Sequence, residues 1–256
     1  MATHTHPKPP GTPTWIDLVT PDVDGARAFY GALFGWEYDI GGPEFGGYTT
    51  ARIGTRGSAG IVGPQPDAPL QAAWNLYFAT ENIEGDVARA VELGATVVYP
   101  AMSVGSFGSM ATCQDPTGAM FSLWQAGDHI GTQVTDEPGA MVWCELYSPN
   151  AKQARDFYTA FLGATADPMP GGLEYYVLKH GEKELGGIMQ IDPSWGAMQP
   201  QWGTYFGVPN ADEAVATATS HGGAVMGSID DSPFGRLATL TDPSGAAFKV
   251  IQPPAR

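Results

Sequence analysis

Cysteine is nearly absent from this chain, and basic residues are outnumbered by acidic ones. Only Cys113 and Cys144 occur. Each lies in an apolar, strand-like run, so a disulfide framework is excluded and both read as buried thiols. Lys and Arg total 12 against 27 Asp and Glu, a formal charge of −15. Such a field repels phosphate backbones and anionic lipid surfaces, which argues against nucleic acid or membrane as a partner. No apolar run approaches the roughly 20 residues of a membrane span. The opening "MATHTHPKPPGTPT" lacks the apolar core of a signal peptide, and the expected setting is the cytoplasm. Residues 1–13 carry too little apolar material to order by burial, and a disordered tail is expected there.

What the sequence does contain is itself, written twice. The stretch "TPDVDGARAFYGALFGW" from Thr20 returns as "SPNAKQARDFYTAFLGA" from Ser148. Trp74 in "AWNLYF" recurs as Trp202 in "QWGTYF", and Asp115 in "QDPTGAMFSLWQ" as Asp242 in "TDPSGAAFKVIQ", offsets of 128 and 127. A register kept over most of both halves marks a duplication. At 256 residues and 43% hydrophobic, the chain can bury a core in each half. The spacing predicts domains over 14–126 and 139–253, joined by a linker over 127–138.

Within each half, two units echo one another. "TWIDLVT" alternates like a strand. After Pro21, Val23, Ala26, Phe29, Tyr30, Leu33 and Phe34 fall at helical spacing before the stop at Gly35. "GYTTARIG" and "SAGIVG" follow as strands, with a further one at "WEYDI". The second unit repeats the plan around the helix "NIEGDVARAVELGA", with Ile83, Val87, Ala90, Val91 and Leu93 as its expected buried stripe. The class is α+β.

These strand exits, the helix ends "ELGA" and "SHGGA", and the Asp-Pro-x-Gly turns before a last apolar strand resemble the vicinal oxygen chelate superfamily. That group includes glyoxalase I, extradiol dioxygenases and bleomycin-resistance proteins. The resemblance covers about Thr14 to Gln252 without the linker. It implies four βαβββ modules forming two paired-module, open-barrel glyoxalase-like domains, each with a concave ligand-binding cup and helices outside. If Ile16 and Leu18 pack under the helix, alternation sends Trp15 and Asp17 into the first cup with Tyr48, Arg52, Asn75, Tyr77, Ser122 and Trp124. The second cup receives Trp143, Glu145, Tyr147, Tyr175, Lys179, Tyr205 and Lys249. Trp74 and Trp202 fall on the helix side and read as core.

Metal-dependent members of the superfamily place His, Glu or Gln at four inward strand positions. Here those positions hold Trp15 and Trp143, Asn75 and Gly203, Ser122 and Lys249, with glycine near Gly60 and Gly187. His4 and His6 lie in the tail, His129 in the linker, His180 in a hairpin turn and His221 at a helix end. No metal and no cofactor are therefore expected. The remaining chemistry rests on Asp17 and Glu145. A partly desolvated carboxylate suits proton transfer, yet Arg52 and Lys179 could pair with these acids across the cups, and both readings stand. Phe45, Phe107 and Phe234 sit in glycine-flanked loops, either as gates at the rim or as loop anchors.

Two functions follow. One is metal-independent binding of a hydrophobic, aromatic small molecule for sequestering or presentation, as in bleomycin resistance. The other is a metal-free glyoxalase-like enzyme or hydroxylase-type accessory that uses Asp17 or Glu145 in a tailoring step of antibiotic biosynthesis. The expected partner is a small-molecule ligand, with a homodimer left open.

Overall fold

A computed structural model describes residues 2–64, 71–172 and 174–254. The first half runs β1 (Ala2–Thr3), β2 (Pro13–Val19), α1 (Val23–Phe34), β3 (Glu37–Ile40), β4 (Thr49–Ile53) and β5 (Arg56–Val62). It continues through β6 (Ala73–Thr80), α2 (Ile83–Glu92), β7 (Thr96–Ser103), β8 (Gly108–Gln114) and β9 (Met120–Ala126). After β10 (Val134–Thr135) the plan restarts with β11 (Met141–Ser148), α3 (Ala151–Leu162), β12 (Thr165–Pro168), β13 (Tyr175–His180) and β14 (Lys183–Gln190). It ends with β15 (Gln201–Gly207), α4 (Ala211–Ser220), β16 (Ala224–Ser232), β17 (Gly235–Thr241) and β18 (Ala247–Gln252).

Each half builds one eight-stranded mixed sheet, in the orders β3-β4-β5-β2-β6-β9-β8-β7 and β12-β13-β14-β11-β15-β18-β17-β16, and neither closes. The parallel pairs β2/β5, β6/β9, β11/β14 and β15/β18 sit at the same places in both sheets. Local chemistry explains the helices. Asp22 and Asn150 accept the Gly25 and Gln153 amides as N-caps, and Gly35 and Gly163 end the helices at φ 69° and 67°. On α2, Ile83 and Ala90 are buried as expected, but Val91 is exposed. At i+8 from Ile83 it stands at the edge of the apolar stripe, on the side turned to solvent.

A single core joins both halves. Phe34 of α1 meets Phe206 of β15 with ring centroids 4.8 Å apart, and Phe29 meets Phe248 at 6.1 Å. Reciprocally, Phe157 and Phe161 of α3 meet Phe121 of β9 at 5.8 and 5.4 Å. The contact has a polar seam as well. Trp74 donates to the Tyr30 hydroxyl (3.1 Å), which donates to Asp242 (3.2 Å) in the opposite half. Trp202 donates to Tyr158 (2.9 Å), which donates to Asp115 (2.9 Å). Asp115 also accepts the Thr117 and Ala119 amides, so the Asp-Pro-x-Gly turn is folded by the same carboxylate that receives the other half. Helices α1 and α3 thus lie on the convex faces of their sheets, but those faces are the inside of the molecule.

The opening segment differs from expectation. Met1 lies outside the described residues, but Ala2 and Thr3 pair with Thr135 and Val134, and the His4 amide donates to Gln133 O (2.9 Å). Gly11 N donates to Ala79 O (2.9 Å), and Lys8 Nζ to Pro13 O (2.9 Å). Backbone pairing holds this stretch, a source of order that apolar content does not register. The segment over 127–138 also runs back along the first sheet, with Thr132 N on Thr14 O (2.6 Å) and Gln133 N on Gly57 O (2.8 Å). Arg56 forms an ion pair with Glu137.

Candidate functional site

Residues directly opposite one another in a sheet share a face. Asp17 pairs with Gly60 and Asn75, Trp15 with Tyr77, and Tyr77 with Ser122, which places them all on the side away from the core. Trp15, Tyr77 and Trp124 form their own cluster, separate from the one that holds Ile16, Leu18 and Trp74. The second sheet repeats the row, with Glu145 opposite Gly187 and Gly203, Trp143 opposite Tyr205, and Tyr205 opposite Lys249. The alternation read from the sequence therefore holds in both halves.

In the first cup Asp17 is 4% exposed. Its carboxylate accepts from Asn75 Nδ2 (2.9 Å), the Tyr77 hydroxyl (2.9 Å) and the Tyr48 hydroxyl (3.4 Å). Trp15 donates to that Tyr48 hydroxyl (2.7 Å), and Thr112 and Ser122 share a hydrogen bond of 2.8 Å. Burial pushes the Asp17 carboxyl above the usual range, opposed by its three hydrogen bonds. His129 enters from the connecting segment, which the sequence reading did not anticipate. Its ring stands edge-on to Trp15 at 4.4 Å and to Trp124 at 5.3 Å, and its carbonyl accepts Trp124 Nε1 (2.8 Å). Burial pushes its imidazole down to about 4, so the inserted ring is neutral at neutral pH.

Above this floor the rim loops meet. Phe45 follows β3 and Phe107 precedes β8, at opposite edges of the sheet, yet their rings stand 5.2 Å apart in a T-shape. The two rim loops thus meet across the mouth of the first cup. Because Asp17 holds its proton more tightly folded than unfolded, folding stability from this group falls as pH rises from the ordinary Asp value of 3.8. The variant Asp17→Asn is expected to gain stability relative to wild type as pH rises from that value through the raised pKa of the folded state. Urea unfolding at several pH values checks this, and a difference that does not change with pH would rule out a buried titrating Asp17.

The second cup differs at several positions, among them Tyr147 in place of Val19 and Ile251 in place of Trp124. Gly203 replaces Asn75, and a Cβ there would stand 3.0 Å from the Tyr147 ring that lies over it. Lys249 replaces Ser122. Phe234, the counterpart of Phe107, is 61% exposed with no aromatic partner among the described residues. Glu145, 3% exposed, accepts the Tyr205 hydroxyl (2.8 Å), and Lys249 Nζ donates to that same hydroxyl (2.9 Å). Lys249 Nζ stands 3.9 Å from Glu145 Oε1, 5.1 Å from the Tyr147 ring centre and 4.9 Å from that of Tyr205. Tyr147 and Tyr205 hydroxyls are 3.3 Å apart, and Trp143 donates to Tyr175 (3.1 Å). Trp195, 47% exposed, stands edge-on to Tyr147 at 6.4 Å. The Lys249 side chain is 20% exposed, against 5% for that of Glu145.

The expected cross-cup bases are corrected here. Arg52 lies 2.9 Å from Asp39, a charge contact outside hydrogen-bond alignment, and Lys179 lies 3.0 Å from Asp167. Register shifts between Ala51 and Arg52 and between Leu178 and Lys179 re-aim both strand ends toward the edge strands β3 and β12. Asp17 is left with hydrogen bonds alone. Glu145 is paired instead by Lys249, which the sequence placed in the cup without giving it that role.

A resident metal does not fit either cup. A Cβ at Gly60 would stand 2.0 Å from the Tyr48 hydroxyl, and one at Gly187 1.9 Å from the Tyr175 hydroxyl, so tyrosine fills the place a ligand side chain would need. Trp15 and Trp143 offer only N–H donors, and the Lys249 ammonium repels a cation. Among the described residues, no group of three or more His, Cys, Asp or Glu could hold a metal ion. Also among the described residues, no helix is long and apolar enough to cross a membrane.

Comparison with known proteins agrees with this architecture. Residues 14–124 match the family model of a glyoxalase-like domain, and residues 140–250 that of the glyoxalase/bleomycin resistance protein/dioxygenase superfamily. "Putative glyoxylase CFP32" of Mycobacterium tuberculosis is 39% identical, over 95% of each chain. The anthracycline biosynthesis protein DnrV of Streptomyces peucetius is 36% identical, over 95% of this chain and 94% of its own. In fold, the Mn(II)-bound glyoxalase of Novosphingobium aromaticivorans superposes with a TM-score of 0.66 at 13% identity, over 95% of this chain and 82% of the other. Two tandem domains of that build, matched from Thr14 to Val250, make this chain a member of the glyoxalase/bleomycin resistance protein/dioxygenase superfamily.

Proposed function

We propose that the chain binds a flat, hydroxylated aromatic compound in its second cup, without a metal ion, and that the first cup serves as its sealed structural counterpart. The observation that carries this reading is the Lys249 ammonium set among Tyr147, Tyr205 and Glu145 in a cup whose rim lacks the Phe45–Phe107 bridge. Trp143, Tyr147 and Trp195 supply aromatic faces, and a buried cation favours the ionised or strongly polarised hydroxyl of a phenol. Two relatives named for anthracycline biosynthesis support the ligand class, since an anthracycline is a polycyclic, hydroxylated aromatic. The cellular setting consistent with this role is the cytoplasm.

Isothermal titration with 2-naphthol, with naphthalene as the control that lacks the hydroxyl, tests the reading. Lys249→Met and Trp143→Ala are each expected to weaken 2-naphthol binding about tenfold, or roughly 1.4 kcal/mol. Equal affinity in wild type and both variants would move the site elsewhere.

A further inference from the structure

The polar chain of the second cup ends on an amine, and nothing in simple ligand capture requires a continuous path behind it. Lys249 Nζ donates to the Tyr205 hydroxyl at 2.9 Å, and that hydroxyl donates to Glu145 at 2.8 Å. The carboxylate is buried at the floor, whereas the amine is the one member of the chain within reach of a ligand. In the first half the equivalent of Lys249 is Ser122, which bonds Thr112 and leaves Asp17 without any amine. Both cups hold a tyrosine–carboxylate pair, Tyr77–Asp17 and Tyr205–Glu145, and the second alone adds an amine to it.

We propose that Lys249 is a carbonyl-reactive amine that condenses with an aldehyde or ketone group on the bound aromatic ligand to form an imine. This rests on the second-cup reading above. The ammonium passes a proton to Tyr205 as Tyr205 passes its own to Glu145, which leaves a neutral amine. Its lone pair forms the N–C bond while the carbonyl π pair moves to oxygen, and one proton passes from the now cationic nitrogen to that oxygen, giving a neutral carbinolamine whose loss of water leaves the protonated imine. Glu145 returns its proton through Tyr205 to the departing hydroxyl, water leaves, and the nitrogen–carbon double bond closes. No oxidant, reductant or metal enters the balance. Burial lowers the Lys249 pKa, opposed by Glu145 and Asp230, which agrees with an amine that gives up its proton readily.

The chain carries its own reference amines. Lys152 is exposed and Lys179 is paired with Asp167 at the rim. The test treats the full chain with 2-hydroxy-1-naphthaldehyde and sodium cyanoborohydride, which reduces any imine to a stable amine, and reads the adduct at each lysine by peptide mass spectrometry. Wild type is expected to label Lys249 about a hundredfold faster than Lys152, because the cup holds the carbonyl beside the amine. In Tyr205→Phe that ratio is expected to fall about tenfold, and the Lys152 adduct in the same sample controls for reagent. A wild-type ratio near unity while 2-naphthol still binds overturns the imine and leaves the binding site standing. No binding of 2-naphthol overturns both. A ratio untouched by Tyr205→Phe overturns the proton path, and the proposal with it.

Discussion

Trp202→Ala is expected to lower the unfolding free energy by about 3–5 kcal/mol, the range for removing a large buried aromatic. Its ring is buried between Tyr158 at 5.2 Å and Phe78 at 5.5 Å, one from each half of the chain. Truncation leaves a cavity where the two sheets meet and takes from the Tyr158 hydroxyl its donor at 2.9 Å. Tyr158→Phe isolates the polar part. It keeps the ring but strips Asp115 of one donor, and about 1–3 kcal/mol is expected. A domain of ordinary stability holds only about 5–15 kcal/mol, so the tryptophan change brings the chain near its limit. Urea unfolding followed by far-UV circular dichroism checks both values. Because the core is common, one transition should shift as a whole. A transition that splits, or a shift under about 1 kcal/mol, would show that the halves are stable separately.

Gly187→Ala is the second large effect. The added Cβ would stand 1.9 Å from the Tyr175 hydroxyl and 2.4 Å from Cζ, distances at which the ring must leave. With it goes the 3.1 Å bond from Trp143. Crowding of this kind costs about 1–3 kcal/mol, and the displaced ring falls into the space proposed for ligand. A lower melting temperature and loss of 2-naphthol binding are expected together. Gly203→Ala, whose Cβ would meet Tyr147 at 3.0 Å, should cost less, since a shift of a few tenths of an ångström relieves the contact. Full binding in Gly187→Ala would place the ligand away from Tyr175.

Much of the site follows from the chain written out in order. The period of two in "TWIDLV" and "MVWCELYS" put Trp15, Asp17, Trp143 and Glu145 on the cup side, because Ile16, Leu18, Cys144 and Leu146 had only the core to go to. The duplicated register likewise located Trp74 and Trp202 in the core. What could not be read depended on partners set by distance in space. Arg52 and Lys179 have the right parity, but a bulge in the neighbouring strand and an acid on an edge strand turn them aside. His129 reaches Trp15 only because its segment doubles back along β2, a path held by backbone bonds that leave no trace in composition. The glycines at 60 and 187 read as missing ligands. Their other meaning, room for a tyrosine hydroxyl, is visible only once β4 and β13 lie alongside.

The reciprocal bonds Tyr30–Asp242 and Tyr158–Asp115 join the halves behind the sheets, on the side facing away from either hollow. What fastens the molecule is thereby kept apart from what it offers to visitors. Such a layout lets one copy of a doubled gene harden into ballast while its twin changes the groups it presents, since neither change touches the rivets. A family built on this plan can accumulate new chemistries without renegotiating how its members fold.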